Sequence, residues 1–267
     1  MRVAVVGHVE WCEFLRVERM PGPGDIVHTV ERWEEPGGGG AVAAVQLVRL
    51  NGDCLFLTAL GGDELGRKAR RELERLGIEV RTAPTEEPQR RAVVHVDESG
   101  ERTITVIGRK LVPRGASPAL RWGDLEGMDA VYFVSGDEEA LRLARRARVL
   151  VATPRELPTL KDAGVELDAL VGSGEDDAER YHTGDLDPPP RLVVATAGAL
   201  GGWAQPGGPY RATPLPGPFE DTYGAGDSFT AGLAYALGQG DSPEEALNFA
   251  AACGAEALTR KGAHGAR

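Results

Sequence analysis

The chain has 267 residues, a net charge of −11, and 42% hydrophobic and 27% charged residues. That balance supports a sizeable core, excludes a disordered chain, and argues against holding a nucleic-acid backbone by bulk charge. No apolar run reaches the ~18 residues of a membrane helix, and three widely spaced cysteines, Cys12, Cys54 and Cys253, suit reduced thiols in a cytoplasmic protein.

In chain order, Val3 to Val6 run apolar into Gly7, which predicts a buried first strand rather than a signal peptide. Residues 11–17 and 26–32 read as two strands around the turn Met20-Pro21-Gly22-Pro23-Gly24. A helix over 40–50 puts Ala41, Ala44, Val45 and Val48 on one face and stops at Asn51-Gly52. Strand 54–59 follows, then helix 64–76 with Leu65, Ala69, Leu73 and Leu76 at helical spacing, then strand 78–81. Residues 91–96 and 103–107 form a hairpin turning at Ser99-Gly100. Strands at 130–134, 149–152, 169–171 and 192–196 alternate with helices at 138–147 and 175–182. Helices 226–237 and 243–258 close the chain, the second opened by Ser242, Pro243 and Glu245 in capping-box spacing.

Strands alternating with helices predict a three-layer α/β fold, a doubly wound and mainly parallel sheet. The hairpins near 10–32 and 90–107 break that alternation. They predict a small β-sheet lid on a single domain spanning 1–267. Asp187-Pro188-Pro189-Pro190 reads as a stiff loop, not a linker.

The most informative segment is Asp221-Thr222-Tyr223-Gly224-Ala225-Gly226-Asp227, followed by a small-residue helix. Gly224, Ala225 and Gly226 at a helix start leave backbone N–H groups unpaired, where the helix dipole adds roughly half a positive charge. An acidic protein can hold an oxyanion there without basic side chains. Asp227 would repel that anion, so its presence calls for another purpose, such as accepting a proton from an attacking hydroxyl. Its other reading is a first-turn carboxylate favoured by the dipole.

This segment resembles the D-T-x-G-A-G-D signature of the ribokinase-like, PfkB-type carbohydrate and nucleoside kinases. The resemblance extends to Gly37-Gly38-Gly39-Gly40-Ala41 entering a helix, to Gly61-Gly62-Asp63-Glu64-Leu65-Gly66, to Val193-Val194-Ala195-Thr196-Ala197-Gly198 with Gly201, and to Arg260-Lys261-Gly262-Ala263. It implies a ribokinase-like fold and transfer of the γ-phosphoryl group of ATP to a hydroxymethyl group of a small sugar or sugar derivative. Asp227 would be the general base and the Gly224–Gly226 amides the anion hole. Thr196, Gly198, Gly201 and Gly262 would border the nucleotide. Mg²⁺ is the expected cofactor, and the resemblance allows K⁺ beside Asp221. A homodimer through the lid is compatible with its open strand edges. No membrane or nucleic-acid partner is expected.

The acceptor side departs from the family pattern. Glu10 and Cys12 stand near the family's asparagine and aspartate, and Gly39 and Val42 near its lysine and asparagine. Glu10, Cys12, Gly37, Gly38 and Val42 are nonetheless the expected substrate-side positions, the two glycines through their backbone. The family's N-x-x-E motif falls near Ser173-Gly174-Glu175-Asp176-Asp177-Ala178-Glu179, where Asp177 or Asp176 takes the glutamate's place; Asp177 is the expected metal-side carboxylate and Asp221 the second. His8 and His95 are candidate pocket residues. Arg102 reads as an anion contact or a solvated hairpin charge, and Trp11 and Trp33 as base-stacking surfaces or lid packing. A nucleoside kinase and a nucleotide-binding sensor without catalysis are the competing readings.

Overall fold

The computed structural model describes residues 1–265. The described residues form thirteen strands: β1 (Val3–Val6), β2 (Glu10–Val17), β3 (Thr29–Gly37), β4 (Cys54–Ala59), β5 (Ile78–Ala83), β6 (Arg91–Val96), β7 (Arg102–Ile107), β8 (Ala130–Phe133), β9 (Val149–Ala152), β10 (Ala169–Ser173), β11 (Val193–Thr196), β12 (Gly202–Gln205) and β13 (Gly208–Tyr210). The helices are α1 (Gly39–Asn51), α2 (Glu64–Arg75), α3 (Glu138–Ala144), α4 (Leu157–Ala163), α5 (Ala225–Gln239) and α6 (Pro243–Ala257).

The main sheet has nine strands in the order β13-β12-β11-β10-β9-β8-β1-β4-β5. All pairs from β5 to β11 are parallel, and β12 and β13 add an antiparallel edge. The apolar run of β1 follows from burial on both faces. Val3 and Val5 point into a core shared with α1, α5 and α6, whereas Ala4 and Val6 point into a second core with α3 and α4. The chain leaves β1 for β4 on one side and returns to β8 on the other, so the winding reverses between β1 and β8. Open α/β sheets place ligand crevices at that point, outside the carboxyl ends of the strands.

The two insertions meet in one four-stranded sheet, β3-β2-β6-β7. Its inner pair, β2 and β6, is parallel, and its outer pairs are antiparallel. The second lid strand runs Thr29–Gly37, later than the expected 26–32, so it delivers the chain straight into the turn before α1. Cys12, Phe14, Ala92, Val94 and Val96 on its inner face pack with Val42, Tyr223 and Ala263 to root the lid in the body.

The capping box of α6 forms as expected: the Glu245 N–H donates to Ser242 Oγ at 3.3 Å and the Ser242 N–H to Glu245 Oε2 at 3.0 Å. The helix expected over 175–182 is instead one short turn, Asp177–Glu179, capped by Asp176. Four of its first five residues are acidic, and no apolar stripe exists to dock a longer helix. The β12–β13 hairpin and α4 lie in segments rich in glycine and proline that show neither period clearly. All three cysteines are buried free thiols. Among the described residues no helix is long and apolar enough to cross a membrane.

Candidate active site

The motif loop ends at Gly224, the N-cap of α5, in the left-handed conformation (φ 76°). Glycine is suited to that position because it carries no Cβ penalty. The first helical bond runs from the Ser228 N–H to the Gly224 carbonyl at 2.9 Å. The N–H groups of Ala225, Gly226 and Asp227 therefore have no partner within the helix. Gly226 is exposed and a Cβ there would meet open space, so the helix start is accessible.

Asp227, on the first turn, is partly buried beside this opening. The Tyr132 hydroxyl donates to its Oδ1 at 3.4 Å. Burial, reinforced by the nearby Glu179 charge, pushes its carboxyl up to about 6, while Arg102, Arg155 and Tyr132 pull the other way. A carboxylate tuned close to neutrality is suited to take a proton near physiological pH. Gly39 faces it: a Cβ on residue 39 would lie 2.7 Å from Asp227 Oδ1 and 3.0 Å from Val134 Cγ1. The glycine turn thus brings the acceptor side against the carboxylate and leaves no room for a side chain.

Asp221 is fully buried and acts as a tie. Its Oδ1 accepts the Tyr223 N–H and its Oδ2 the Gly262 N–H, each at 2.8 Å. Burial raises its carboxyl pKa above the ordinary value. Glu35, at the base of the lid, accepts the next amide, Ala263 N–H, at 2.7 Å, and the Trp33 indole N–H at 3.2 Å. Burial raises the Glu35 carboxyl to about 7. Each Asp221 oxygen thus accepts one backbone amide. Gly262 (φ 63°) shares this tie and lies against Glu35 and Trp33, at the lid root.

Thr196 ends β11, and Gly198 and Gly201 form the turn after it, both with positive φ. Gly201 packs tightly, since a Cβ would meet the Tyr210 carbonyl at 2.1 Å, whereas Gly198 is open to solvent. These residues stand at the carboxyl end of the sheet.

Asp177 points outward. Its side chain is 84% exposed and pairs with Arg180. The carboxylate turned inward is Glu179, 17% exposed, which accepts the Ser173 N–H at 2.6 Å and binds Arg155, as does Asp176. The sequence signal was available: Asp176-Asp177-Ala178-Glu179, within the same stretch, has the N-x-x-E spacing with aspartate for asparagine.

On the acceptor side, Cys12 and Val42 lie in the lid-root core at 0% and 3% exposure. The Cys12 thiol is 3.3 Å from the Tyr223 hydroxyl, its pKa raised to about 12 by burial, and Val42 packs on Gly224. Neither can reach a ligand, because lid packing has claimed both positions. Gly37 is buried against Cys12 and Tyr223, and the Gly38 N–H donates to the Tyr223 hydroxyl at 2.9 Å. Glu10 remains near the turn but is paired with Arg90 at 2.8 Å. His8 contacts Ser135 Oγ at 3.0 Å, and burial, with Lys110, Arg90 and Arg155 adding to it, holds the imidazole neutral. Trp11 is buried and Trp33 stacks on Phe14 with centroids 4.9 Å apart, so neither offers a free stacking face. Arg102 donates to the Thr222 carbonyl at 3.0 Å and bridges lid and motif loop.

The family model "pfkB family carbohydrate kinase" matches residues 1–149 and 160–266. The chain belongs to the PfkB family of carbohydrate kinases. It is a phosphotransferase with an alcohol group as acceptor. An ATP-dependent ribose-1-phosphate kinase of Halopiger xanaduensis is 30% identical, the match covering 100% of this chain and 95% of that one. An aminoimidazole riboside kinase of Salmonella typhimurium is also 30% identical, over 85% of this chain and 83% of that one. Among solved structures, a ribokinase of Thermotoga maritima superposes with a TM-score of 0.76 at 24% identity, covering 99% of this chain and 95% of that one. An Arabidopsis thaliana ribokinase complexed with ribose and ATP gives 0.73 at 22% identity, covering 98% and 94%.

Proposed function

We propose that this PfkB-family kinase transfers the γ-phosphoryl group of ATP to a hydroxymethyl group of a small sugar or sugar derivative. The observation that carries the reading is one arrangement: the Asp227 carboxylate, facing Gly39, beside the unpaired N–H groups that open α5. Asp227 takes the proton of the acceptor hydroxyl as its oxygen bonds to the γ-phosphorus. The bond from that phosphorus to the β–γ bridging oxygen breaks, and ADP leaves with the electron pair. The Gly224, Ala225 and Gly226 amides, with that of Asp227 beside them, stabilise charge on the phosphoryl oxygens as it develops, which is positioning plus electrostatics.

Glu179 and Asp176 are the residues that would hold Mg²⁺ against the phosphates, directly or through water. Mg²⁺ supplies charge neutralisation on the phosphate oxygens. The turn Thr196 to Gly201 borders the nucleotide. Asp221, with one amide on each oxygen and a further lone pair on each, is the residue that would hold K⁺.

A second reading of the acceptor is a phosphorylated sugar, because Arg90 and Lys110, each paired with one carboxylate (Glu10 and Glu156), act electrostatically on His8 and Glu10. Neither Gly39 nor Val42 has a side chain that can hydrogen-bond a neutral hydroxyl, and the Cys12 thiol is buried. The haloarchaeal relative's name is consistent with it. The nucleoside reading loses its stacking residues, since Trp11 and Trp33 are packed away. A panel of D-ribose, D-fructose, D-ribose 1-phosphate and nucleosides with Mg·ATP, followed by ADP release, tests the proposal. Turnover of a sugar or sugar phosphate supports it, and ATP binding without turnover of any acceptor favours the sensor.

A further inference from the structure

Tyr223 fills the unspecified position of the D-T-x-G-A-G-D signature, and the phosphoryl-transfer scheme gives it no task. Its main-chain N–H is fixed by Asp221, and the next residue, Gly224, is the N-cap of α5. Its side chain runs into the lid root. The ring meets Phe14 edge-on, with centroids 5.0 Å apart at 78°. The hydroxyl accepts the Gly38 N–H at 2.9 Å and lies 3.3 Å from Cys12 Sγ. The fit is tight, because a Cβ on Gly37 would lie 2.6 Å from the hydroxyl. Gly38 is in turn the N-cap of α1 and precedes Gly39, which faces Asp227. One rigid side chain therefore joins the residue before the anion hole to the turn that faces the base.

We propose that Tyr223 is a positioning residue that fixes the separation between the acceptor turn and the anion hole. This rests on the function assigned above. In-line transfer requires reacting atoms about 3–3.5 Å apart, and a displacement of ~1 Å is enough to cost about 10²-fold in rate. A phenol with two side-chain torsions, anchored at its backbone by a carboxylate and at its tip by an amide, restrains that separation. By taking the Gly38 N–H it also withholds that donor from the acceptor. Recognition then falls to Gly39, His8 and the Glu10–Arg90 pair.

Tyr223→Phe keeps the ring and removes only the hydroxyl, and Phe14→Leu disturbs the same aromatic cluster without touching Gly38. In the full chain, D-ribose and D-ribose 1-phosphate serve as acceptor probes, and hydrogen exchange reports on residues 36–40 and 224–228. Tyr223→Phe should lower kcat/KM for the acceptor about tenfold with ATP affinity held within about twofold, and should speed exchange in both segments together. Phe14→Leu should lower Tm while leaving acceptor KM and that paired exchange unchanged. The proposal is overturned if Tyr223→Phe leaves either the paired exchange or an observable acceptor kcat/KM unchanged, or if Phe14→Leu reproduces its effects. If neither probe turns over, the exchange result decides. Activity retained in Asp227→Asn would instead remove the base assignment and leave the strut standing.

Discussion

The two walls of the site are built on different principles. The wall at the start of α5 is made of backbone: unpaired N–H groups, a left-handed glycine cap and one tuned carboxylate. The acceptor wall at the lid root is made of side chains, and there Cys12, Val42 and Tyr223 have turned inward to hold the lid on the body. Backbone chemistry survives changes of side chain as long as the small residues remain, so the reaction type persists. Side-chain recognition does not, so the acceptor is free to change.

The sharpest way to break that contrast is where the walls touch. Gly39→Ala places a Cβ against Asp227 and should lower kcat about 10²-fold with little loss of ATP affinity. Wild-type rates would show that the carboxylate is not confined by the turn. On the nucleotide side, Glu179→Gln should lower kcat at least about tenfold and raise the Mg²⁺ requirement, whereas Asp177→Ala should leave both within about twofold. The reverse ranking would return the metal role to Asp177.

The pH dependence follows from the raised carboxyl of Asp227. The base must be ionised to act, so kcat/KM should rise through about pH 6 and level off above it. The sign for stability is opposite. A folded-state pKa above the unfolded value means the fold binds the proton more tightly, and stability falls as pH rises between the two values. Asp227→Asn should therefore raise Tm at pH 8, and the gain should vanish below the unfolded carboxylate range.

The same contrast explains what could be read from sequence. The parallel sheet was legible because both faces of β1, β4, β8 and β9 are buried, which produces continuous apolar runs. The anion hole was legible because Gly224 and Gly226 owe their identity to local backbone demands. Cys12 and Val42 were misplaced because strand phase shows which face a residue takes but not which neighbour fills that face. Tyr223, from over 180 residues away in the chain, fills it. Glu179 was passed over for Asp177 because three residues of turn decide which carboxylate faces in, and no periodicity records that.

The central claim is that Asp227, set beside the backbone anion hole, removes the acceptor proton. Turnover and ATP affinity measured together for Asp227→Asn test it most directly. A loss of about 10²–10⁴-fold in kcat with ATP affinity within about twofold of the wild type is the predicted result. Turnover kept above about a tenth of the wild-type rate at the same ATP affinity would contradict it.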